Sequence, residues 1–568
     1  MPYHLIAPSP MPKAGYRRLT LRELGERAQA MACIRDKDPA QCQGQVYVSL
    51  FFDGTGNNMD WEDPALGGVK HVDANKHSNV ARLYNASCDE PKDGLFSYYI
   101  PGVGTPFEKI GDTGELNMKL GAATGYMGAD RINWGILQVL NAVHRYQTKE
   151  VLLDDELAGT VANNASKYFL NFGFEGPYRR ALMGNWEDKL AEVLRRHQRK
   201  VTQISVAVFG FSRGAAMARA FSNWLCQLLK QEDGGYRLAG VPLRISFMGL
   251  FDTVASVGMA GSVPGFEGHM AWADGFLDIP PAVEQCVHFV ALHEQRANFP
   301  LEMTKHVKQV AYPGMHSDVG GGYRPGEQGK SMPDWGASPQ LSQIPLIDMY
   351  HAAWKGGVPL KTMGDIRSDP IIAPQFDCPP RLIEAVNAYY QNCGLPLAAS
   401  GKGPVQAMLA AHARQYMQWL GTCVMPVRAY EQRRFYRQAT LLASHKKGIS
   451  DQAMLKEAFD DLLEHLNQTR LDMAKHDRLK ELEKAMAATP SDVPDMPDLT
   501  AVHGVAKPSV HPESRRIVEA MMQRLPLPPA VVRLMEDYIH DARAGFRALG
   551  NMEPRLTTRG YLRHRRFF

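Results

Sequence analysis

Residues 201–221, VTQISVAVFGFSRGAAMARAF, constrain the chain more than any other stretch. The first nine residues are apolar or β-branched at almost every position, which is typical of a strand buried on both faces of a parallel sheet. A G-x-S-x-G pentapeptide follows at 210–214, and the residues after it are good helix formers. The segment therefore predicts a strand, a sharp turn that carries Ser212, and a helix.

Ser212 is the predicted nucleophile. A serine on a tight strand-to-helix turn projects its hydroxyl from the carboxyl edge of the sheet, and glycines on either side avoid collisions with the neighbouring strand and helix. The backbone amide of Arg213, at the helix start, can donate to an oxyanion. This context predicts an α/β-hydrolase-like, mostly parallel sheet with helical insertions. The alternative is an ordinary glycine-flanked turn.

A second strand, at 45–52, ends in the turn sequence DGTGNN. Glycine and asparagine at this density indicate a tight turn with exposed amides. A loop of this kind supplies the second oxyanion donor in enzymes built on a serine elbow, so the amide of Gly54 or Thr55 is the candidate. The alternative is an Asx-type turn in which Asp53 only caps the loop.

The general base is predicted to be His316. It lies on a glycine-bounded loop after the predicted strand at 308–312. A serine hydroxyl needs a base to accept its proton, and the imidazole needs an acid to fix its tautomer. The chain order Ser212, Asp252, His316 is the order found in α/β-hydrolases.

The acid is predicted to be Asp252, at the end of the apolar strand 243–251, because the carboxyl ends of parallel strands share one edge of the sheet. Glu294, after the strand at 288–292, is the alternative acid. Asp318 lies too close in sequence to the histidine to orient it. Two weaker options are Asp274 and Asp278.

Composition narrows the class of protein. The 568 residues are 45% hydrophobic. Their formal net charge is only +4, which argues against nucleic acid as a partner. The length predicts more than one part, and changes of residue pattern along the chain divide it into an N-terminal extension, a catalytic core with a helical insertion, and a mainly helical C-terminal region. Their predicted bounds are 1–44, 45–365 with the insertion at about 147–200, and 366–568.

No cofactor or metal is required by this chemistry, and the cysteines lack the paired spacing of a zinc site. The first residues lack the apolar stretch of about 7 to 15 residues found in signal peptides, which predicts synthesis in the cytoplasm. Cys33 and Cys42 bracket a loop-like segment, where reduced thiols are expected and a disulfide is the alternative.

The C-terminal region carries two patterns. Apolar residues repeat at helical spacing along a charged segment and predict core packing or, as the alternative, membrane contact. A further helix is predicted at 531–549, and the basic and aromatic tail 559–568 suits either an anionic lipid surface or packing on the core. The repeated positions are Leu455, Phe459, Leu462, Leu466 and Met473.

Four motifs together resemble the first class of type VI secretion lipase effectors. They are FFDGTGNN at 51–58, GFSRGAAMARAF at 210–221, FDTVASVG at 251–258 and PGMHSDVGGGY at 313–323. The resemblance implies an antibacterial phospholipase A-type enzyme with Ser212, Asp252 and His316 as its triad. It also implies a membrane-surface substrate, a secretion spike partner, a cognate immunity protein and delivery to the periplasm of target cells.

The chain departs from the family pattern at one segment, and two other functions are alternatives to the one that the resemblance implies. Many relatives carry Asp-Glu-Arg-Arg where this chain has His293-Glu294-Gln295-Arg296, so an acid role for that aspartate does not transfer. The same chemistry on another ester, in an esterase or thioesterase, is one alternative. A non-catalytic hydrolase-fold binding module is the other.

Overall fold

A computed structural model describes thirteen segments of the chain. They are residues 3–35, 43–61, 74–113, 124–166, 175–197, 200–232, 234–256, 277–424, 429–439, 449–487, 510–523, 525–546 and 562–568. Cys42 and Asp274 lie outside them, as does the side chain of Cys33.

One mostly parallel sheet organises the described residues. Its strands are β1 His4–Ile6, β2 Gln43–Phe52, β3 Leu95–Ile100, β4 Lys200–Phe211, β5 Lys230–Glu232, β6 Gly235–Leu238, β7 Val241–Phe251, β8 Cys286–Ala291, β9 Lys308–Tyr312 and β10 Ala399–Ser400. The order is β10-β1-β9-β8-β7-β4-β2-β3, and the short hairpin β5–β6 attaches to β7. Along this path every pair from β1 through to β3 is parallel, whereas β10 pairs antiparallel with β1 and the hairpin pairs antiparallel with β7.

The register explains why the predicted site residues share one edge. Phe52 of β2 pairs with Gly210 of β4, and Phe211 pairs with Phe251 of β7, so three neighbouring strands end at the same level. These strands are buried on both faces, as their continuous apolar runs predict. The loops that follow them therefore open side by side.

Helices cover both faces and form the C-terminal region. They are α1 Leu21–Arg35, α2 Asn79–Asn85, α3 Gly128–Thr148, α4 Asp155–Ser166, α5 Glu175–Arg196, α6 Arg213–Cys226, α7 His316–Gly320, α8 Gln343–Lys355, α9 Met363–Ser368, α10 Pro380–Asn392, α11 Lys402–Val424, α12 Arg434–Gln438, α13 Asp451–Ala487, α14 Pro512–Gln523 and α15 Pro529–Asp537. The predicted fold class, an α/β-hydrolase-like mostly parallel sheet with helical insertions and a helical C-terminal region, is confirmed.

The apolar repeat on the C-terminal helix α13 packs into a core. The first four positions of the apolar repeat on α13 are buried, and Met473 packs against them in part. Within the described ranges, no helix has the length and hydropathy needed to cross a bilayer. The apolar repeat therefore serves packing.

The predicted helix at 531–549 is wrong at residues 538–546, which follow α15 without helical structure, and residues 547–549 lie outside the described segments. The buried ammonium of Lys330 donates to the carbonyl oxygens of Met535 and Glu536 at 2.7 and 3.0 Å, and the Ser331 amide donates to the Asp537 carbonyl at 2.8 Å. These carbonyls belong to the last turn of α15. In a longer helix they would accept hydrogen bonds from the amides of the following turn. Groups of the core bond these carbonyls instead, and the chain after Asp537 enters the buried interior.

Candidate active site

The serine turn is sharp, as the sequence predicts, and its backbone is strained. Ser212 has φ 60° and ψ −129°, an unfavourable region for a residue with a side chain, and α6 begins at the next residue. Its amide still donates to the Phe251 carbonyl at 3.0 Å, so β7 holds the turn in place. Ser212 itself is buried, with 4% of its surface exposed.

The two glycines of the turn are required by close backbone approach. A Cβ at Gly210 would lie 2.5 Å from the Ala215 Cα, and one at Gly214 would lie 2.3 Å from the carbonyl oxygens of Phe52 and Asp53. Backbone atoms cannot move away as a flexible side chain can. The turn therefore locks α6 against the loop that follows β2.

Replacing Gly214 with alanine should lower the free energy of unfolding by at least about 1–3 kcal/mol, because the new methyl group overpacks against two backbone carbonyls. Urea denaturation measures the change. Gly184, within α5, is the matched control, since a Cβ there meets nothing within 4 Å and alanine favours a helix. Equal stability of the two variants would contradict this account of the turn.

Asp252 lies at the end of β7 and reaches His316 directly. Its backbone is also strained, with φ 43°, and its amide donates to the Phe289 carbonyl at 2.7 Å. His316 Nδ1 donates to Asp252 Oδ2 at 2.5 Å, and the Ala291 amide donates to Oδ1 at 2.9 Å. The carboxylate is fully buried. A further donor to Oδ1 is Arg565, at 2.6 Å.

These donors decide the charge of the acid. Burial alone would raise the pKa of Asp252, but the adjacent Arg565 guanidinium and the His316 imidazole hold that pKa well below its usual range. Asp252 is therefore a carboxylate at neutral pH. Because it accepts the Nδ1 proton, the neutral imidazole carries its free lone pair on Nε2.

His316 begins α7 and is held between aromatic rings. Its ring centroid lies 4.6 Å from that of Phe211, the residue before the serine, and 4.9 Å from that of Phe299. Burial lowers the pKa of His316, although the Asp252 carboxylate opposes the change. Its Nε2 is buried and makes no hydrogen bond to any described group. Catalytic hydrogen bonds often close only once substrate is bound.

Glu294 is buried nearby but does not contact the imidazole. Its Oε2 accepts from Arg296 at 2.8 Å and from the His316 backbone amide at 3.3 Å. Although burial raises the pKa of Glu294, the Arg296 guanidinium lowers it to about 2. The structure therefore brings Asp252, and not Glu294, to the side chain of the predicted base.

The predicted oxyanion loop meets the serine turn through a side-chain contact. Arg213 Nε donates to Thr55 Oγ1 at 2.6 Å, and burial lowers the pKa of Arg213 to about 10. The Gly54 amide donates to Asp53 Oδ1 at 2.7 Å, as in the capping alternative for this loop. The contact places Thr55 beside the start of α6.

Asp318, two residues after His316 on α7, pairs with a different histidine. Its Oδ1 accepts from His540 Nδ1 at 2.7 Å, and its Oδ2 accepts from the His540 amide at 3.1 Å. The ring of Tyr323 stacks on His540, with centroids 3.8 Å apart. This buried pair fastens the helix that carries His316 to the segment after α15.

Sequence reasoning missed three side chains of the site. Arg565 contacts Asp252, Phe299 covers the imidazole, and Arg296 both pairs with Glu294 and lies 3.5 Å over the Phe299 ring. The basic tail was the only sequence signal for the first. Within the described part of the chain, no group of three or more His, Cys, Asp or Glu side chains could hold a metal ion.

Two solved structures match this chain to different extents. A crystal structure of an uncharacterized protein from Pseudomonas aeruginosa is 25% identical, with a TM-score of 0.74 over 100% of this chain and 85% of that chain. A structure of the Tle1 effector bound to the VgrG spike from the type 6 secretion system is 17% identical, with a TM-score of 0.33 over 61% of this chain and 79% of that chain. No curated protein sequence matches the chain.

A family model described as "T6SS, Phospholipase effector Tle1-like, catalytic domain" matches residues 48–236 and 231–352. The matched residues make up more than half of the chain, and they contain the serine turn, Asp252 and His316. The chain belongs to the Tle1-like family of type VI secretion phospholipase effectors.

Proposed function

We propose that this protein is a serine phospholipase of the A type, which hydrolyses acyl esters of glycerophospholipids. The observation that carries the proposal is the 2.5 Å contact between His316 and Asp252 at the sheet edge from which the strained Ser212 turn emerges. Family membership supports the substrate class. The contact supports the reaction type, because it leaves a basic nitrogen at the same edge as a hydroxyl.

In the proposed mechanism, Ser212 Oγ attacks the ester carbonyl while His316 Nε2 accepts the hydroxyl proton. Asp252 stabilises the imidazolium that forms and keeps the reactive tautomer. The tetrahedral intermediate then collapses, and the same imidazolium protonates the departing lysophospholipid alkoxide. Water attacks the acyl-serine in the second half, again with His316 as base, and releases a fatty acid.

The developing oxyanion requires hydrogen-bond donors at the start of α6. We assign the Arg213 amide as one donor. For the second we favour the Thr55 amide over that of Gly54, because the Gly54 amide already donates to Asp53. The Arg213 side chain, bonded to Thr55 Oγ1, would hold the two donors in register.

We further propose that the enzyme is an antibacterial effector that acts on membranes in the periplasm of target cells. Its membership in a type VI effector family supports delivery by that machinery. A secretion spike protein and a cognate immunity protein are the proposed partners. The C-terminal region, residues 366–568, is the candidate for contact with a membrane or for a lid.

Vesicles of glycerophospholipid with differently labelled acyl chains test this function. The expected products are one free fatty acid and one lysophospholipid, identified by mass spectrometry, because the proposed reaction cleaves a single acyl ester. The label on the free acid also identifies the acyl position. A soluble short-chain nitrophenyl ester, assayed in parallel, reports the hydrolase chemistry without a lipid surface.

The outcomes separate the candidate functions. Cleavage of the nitrophenyl ester alone would transfer the assignment to an esterase or thioesterase. Release of a phosphorylated headgroup would exclude an acyl hydrolase. Absence of both reactions would favour a binding module that retains the hydrolase fold.

A further inference from the structure

The last seven residues of the chain reach into the site described above. Residues 562–568 follow a stretch outside the described segments and lie against residues 299–303, beside the carboxyl edge of the sheet. Arg565 is their most buried charged residue, with 3% of its surface exposed. Its Nη1 donates to Asp252 Oδ1 at 2.6 Å, while Oδ2 of the same carboxylate accepts from His316.

The tail is fixed by backbone pairing as well as by apolar packing. The Leu301 amide donates to the Arg566 carbonyl at 2.9 Å, and the Phe568 amide donates back to the Leu301 carbonyl at 2.9 Å. The Met303 amide adds a third bond, to the Phe568 carbonyl, at 3.0 Å. Phe567 is buried in an apolar cluster that includes residues of β1 and β8. This docking fixes the path of the backbone that carries Arg565.

A second contact fixes the guanidinium itself. Arg565 Nε donates to the Phe299 carbonyl at 2.5 Å, and the Phe299 ring packs on His316. One guanidinium therefore joins the acid to the residue that covers the imidazole. A planar fork held at two points has little freedom, so Asp252 has little freedom to rotate away from His316.

Each of the two buried carboxylates near His316 has a guanidinium as its counter-ion. Two buried carboxylates, Asp252 and Glu294, each contact one guanidinium, that of Arg565 and that of Arg296 respectively. Removal of one partner of such a buried pair leaves an uncompensated charge. Without Arg565, Asp252 would retain the Ala291 amide and the imidazole as donors, but it would lose its counter-ion.

We propose that Arg565 is a positioning residue of the active site: the C-terminal tail must dock for the acid and base to be held in their productive geometry. This inference rests on the proposed hydrolase function and adds that the catalytic machinery is completed from the end of the chain. It predicts a loss of turnover with little change in KM, because Arg565 acts through Asp252 and not on substrate.

Arg565→Ala in the full-length protein is the first test. Turnover of a soluble nitrophenyl ester should fall about 10²-fold, the loss expected when a catalytic group is misplaced by about 1 Å. Guanidinium ion at millimolar concentration should restore part of the lost turnover, because it can occupy the vacated site beside Asp252. Restoration by a small cation would not follow from a purely structural role.

Arg563→Ala is the matched control. Arg563 lies on the same tail and its Nε donates to the Gln295 carbonyl at 3.2 Å, so it contributes to docking without touching Asp252. We expect near wild-type turnover and no response to guanidinium. Equal turnover in the Arg563 and Arg565 variants would overturn the proposal.

Arg565→Met covers the case in which the alanine variant does not fold. The methionine stem keeps the packing of the arginine stem and removes only the charged fork. The same loss of turnover supports the proposal, and wild-type turnover overturns it. Failure of both variants to fold, seen by thermal unfolding, would also overturn it in favour of a structural tail. An inactive wild type would refute the proposed function instead.

Discussion

Replacement of Ser212 by alanine should reduce turnover on a nitrophenyl ester or a phospholipid by about 10⁶-fold, as expected when a triad nucleophile is removed alone. The reason is that no described side chain can replace its hydroxyl on the strained turn between β4 and α6. The variant should keep the stability of the wild type, since Ser212 makes no side-chain cap to the helix.

A fluorophosphonate probe gives a second reading of the same variant. Wild-type protein should become covalently labelled and the Ser212→Ala protein should not. Because only 4% of Ser212 is exposed, labelling is measured both with and without phospholipid vesicles. Faster labelling with vesicles would indicate that the site opens at a lipid surface.

Ser222→Ala is the control for this experiment. Ser222 is a buried serine on α6, the helix that follows Ser212, and its hydroxyl donates to the Ala218 carbonyl at 3.0 Å. Its replacement should change neither labelling nor turnover. Labelling that persists in Ser212→Ala would locate the nucleophile elsewhere and refute the mechanism.

Much of the sheet could be predicted because its signals are local. Strands β2, β4, β7, β8 and β9 are rich in apolar and β-branched residues and are followed by turn sequences, and the predicted bounds of each lie within a few residues of the observed ones. Parallel strands have both faces covered, so such runs are their usual form. The serine turn was equally local, because steric necessity places Gly210 and Gly214 around it.

Other parts could not be predicted because they depend on distant partners. The chain leaves α15 at Asp537 because Lys330, about 200 residues earlier, takes its last carbonyls. Helical propensity continued to 549 and gave no sign of this. Strand β1, inside the predicted N-terminal extension, joins the sheet by pairing with the distant strands β9 and β10. Tertiary contacts override propensity in both cases.

The site residues also divide into those predictable from local sequence and those that depend on distant contacts. Asp252 and His316 were expected to meet because the ends of parallel strands share an edge. Arg565 lies 313 residues from Asp252, and its tail has basic and aromatic residues that suit a lipid surface as well as a core. Composition alone does not distinguish a lipid-binding tail from one that packs on the core. The difference depends on whether the fold places a buried carboxylate next to the guanidinium.

Asp252→Asn should lower turnover by about 10⁴-fold, by analogy with other triads. The asparagine amide can donate to His316 Nδ1, which favours the tautomer with its proton on Nε2, and that nitrogen then cannot accept the serine proton. Glu294→Gln serves as the comparison. Its loss should be smaller, because Glu294 contacts the backbone of His316 and not the imidazole. Near-normal turnover in Asp252→Asn would transfer the acid role to Glu294.

Asp252→Asn also leaves the buried Arg565 without its counter-ion, which should destabilise the fold by about 3–5 kcal/mol. The double variant Asp252→Asn with Arg565→Met separates the two effects. Removing the second charge should recover much of the unfolding free energy, since no unpaired guanidinium remains, while turnover stays low because the tautomer is still wrong. Urea denaturation and ester hydrolysis measure the two quantities on the same samples. If turnover instead recovered together with stability, the loss in Asp252→Asn would stem from a distorted fold, and the orienting role of Asp252 would have to be abandoned.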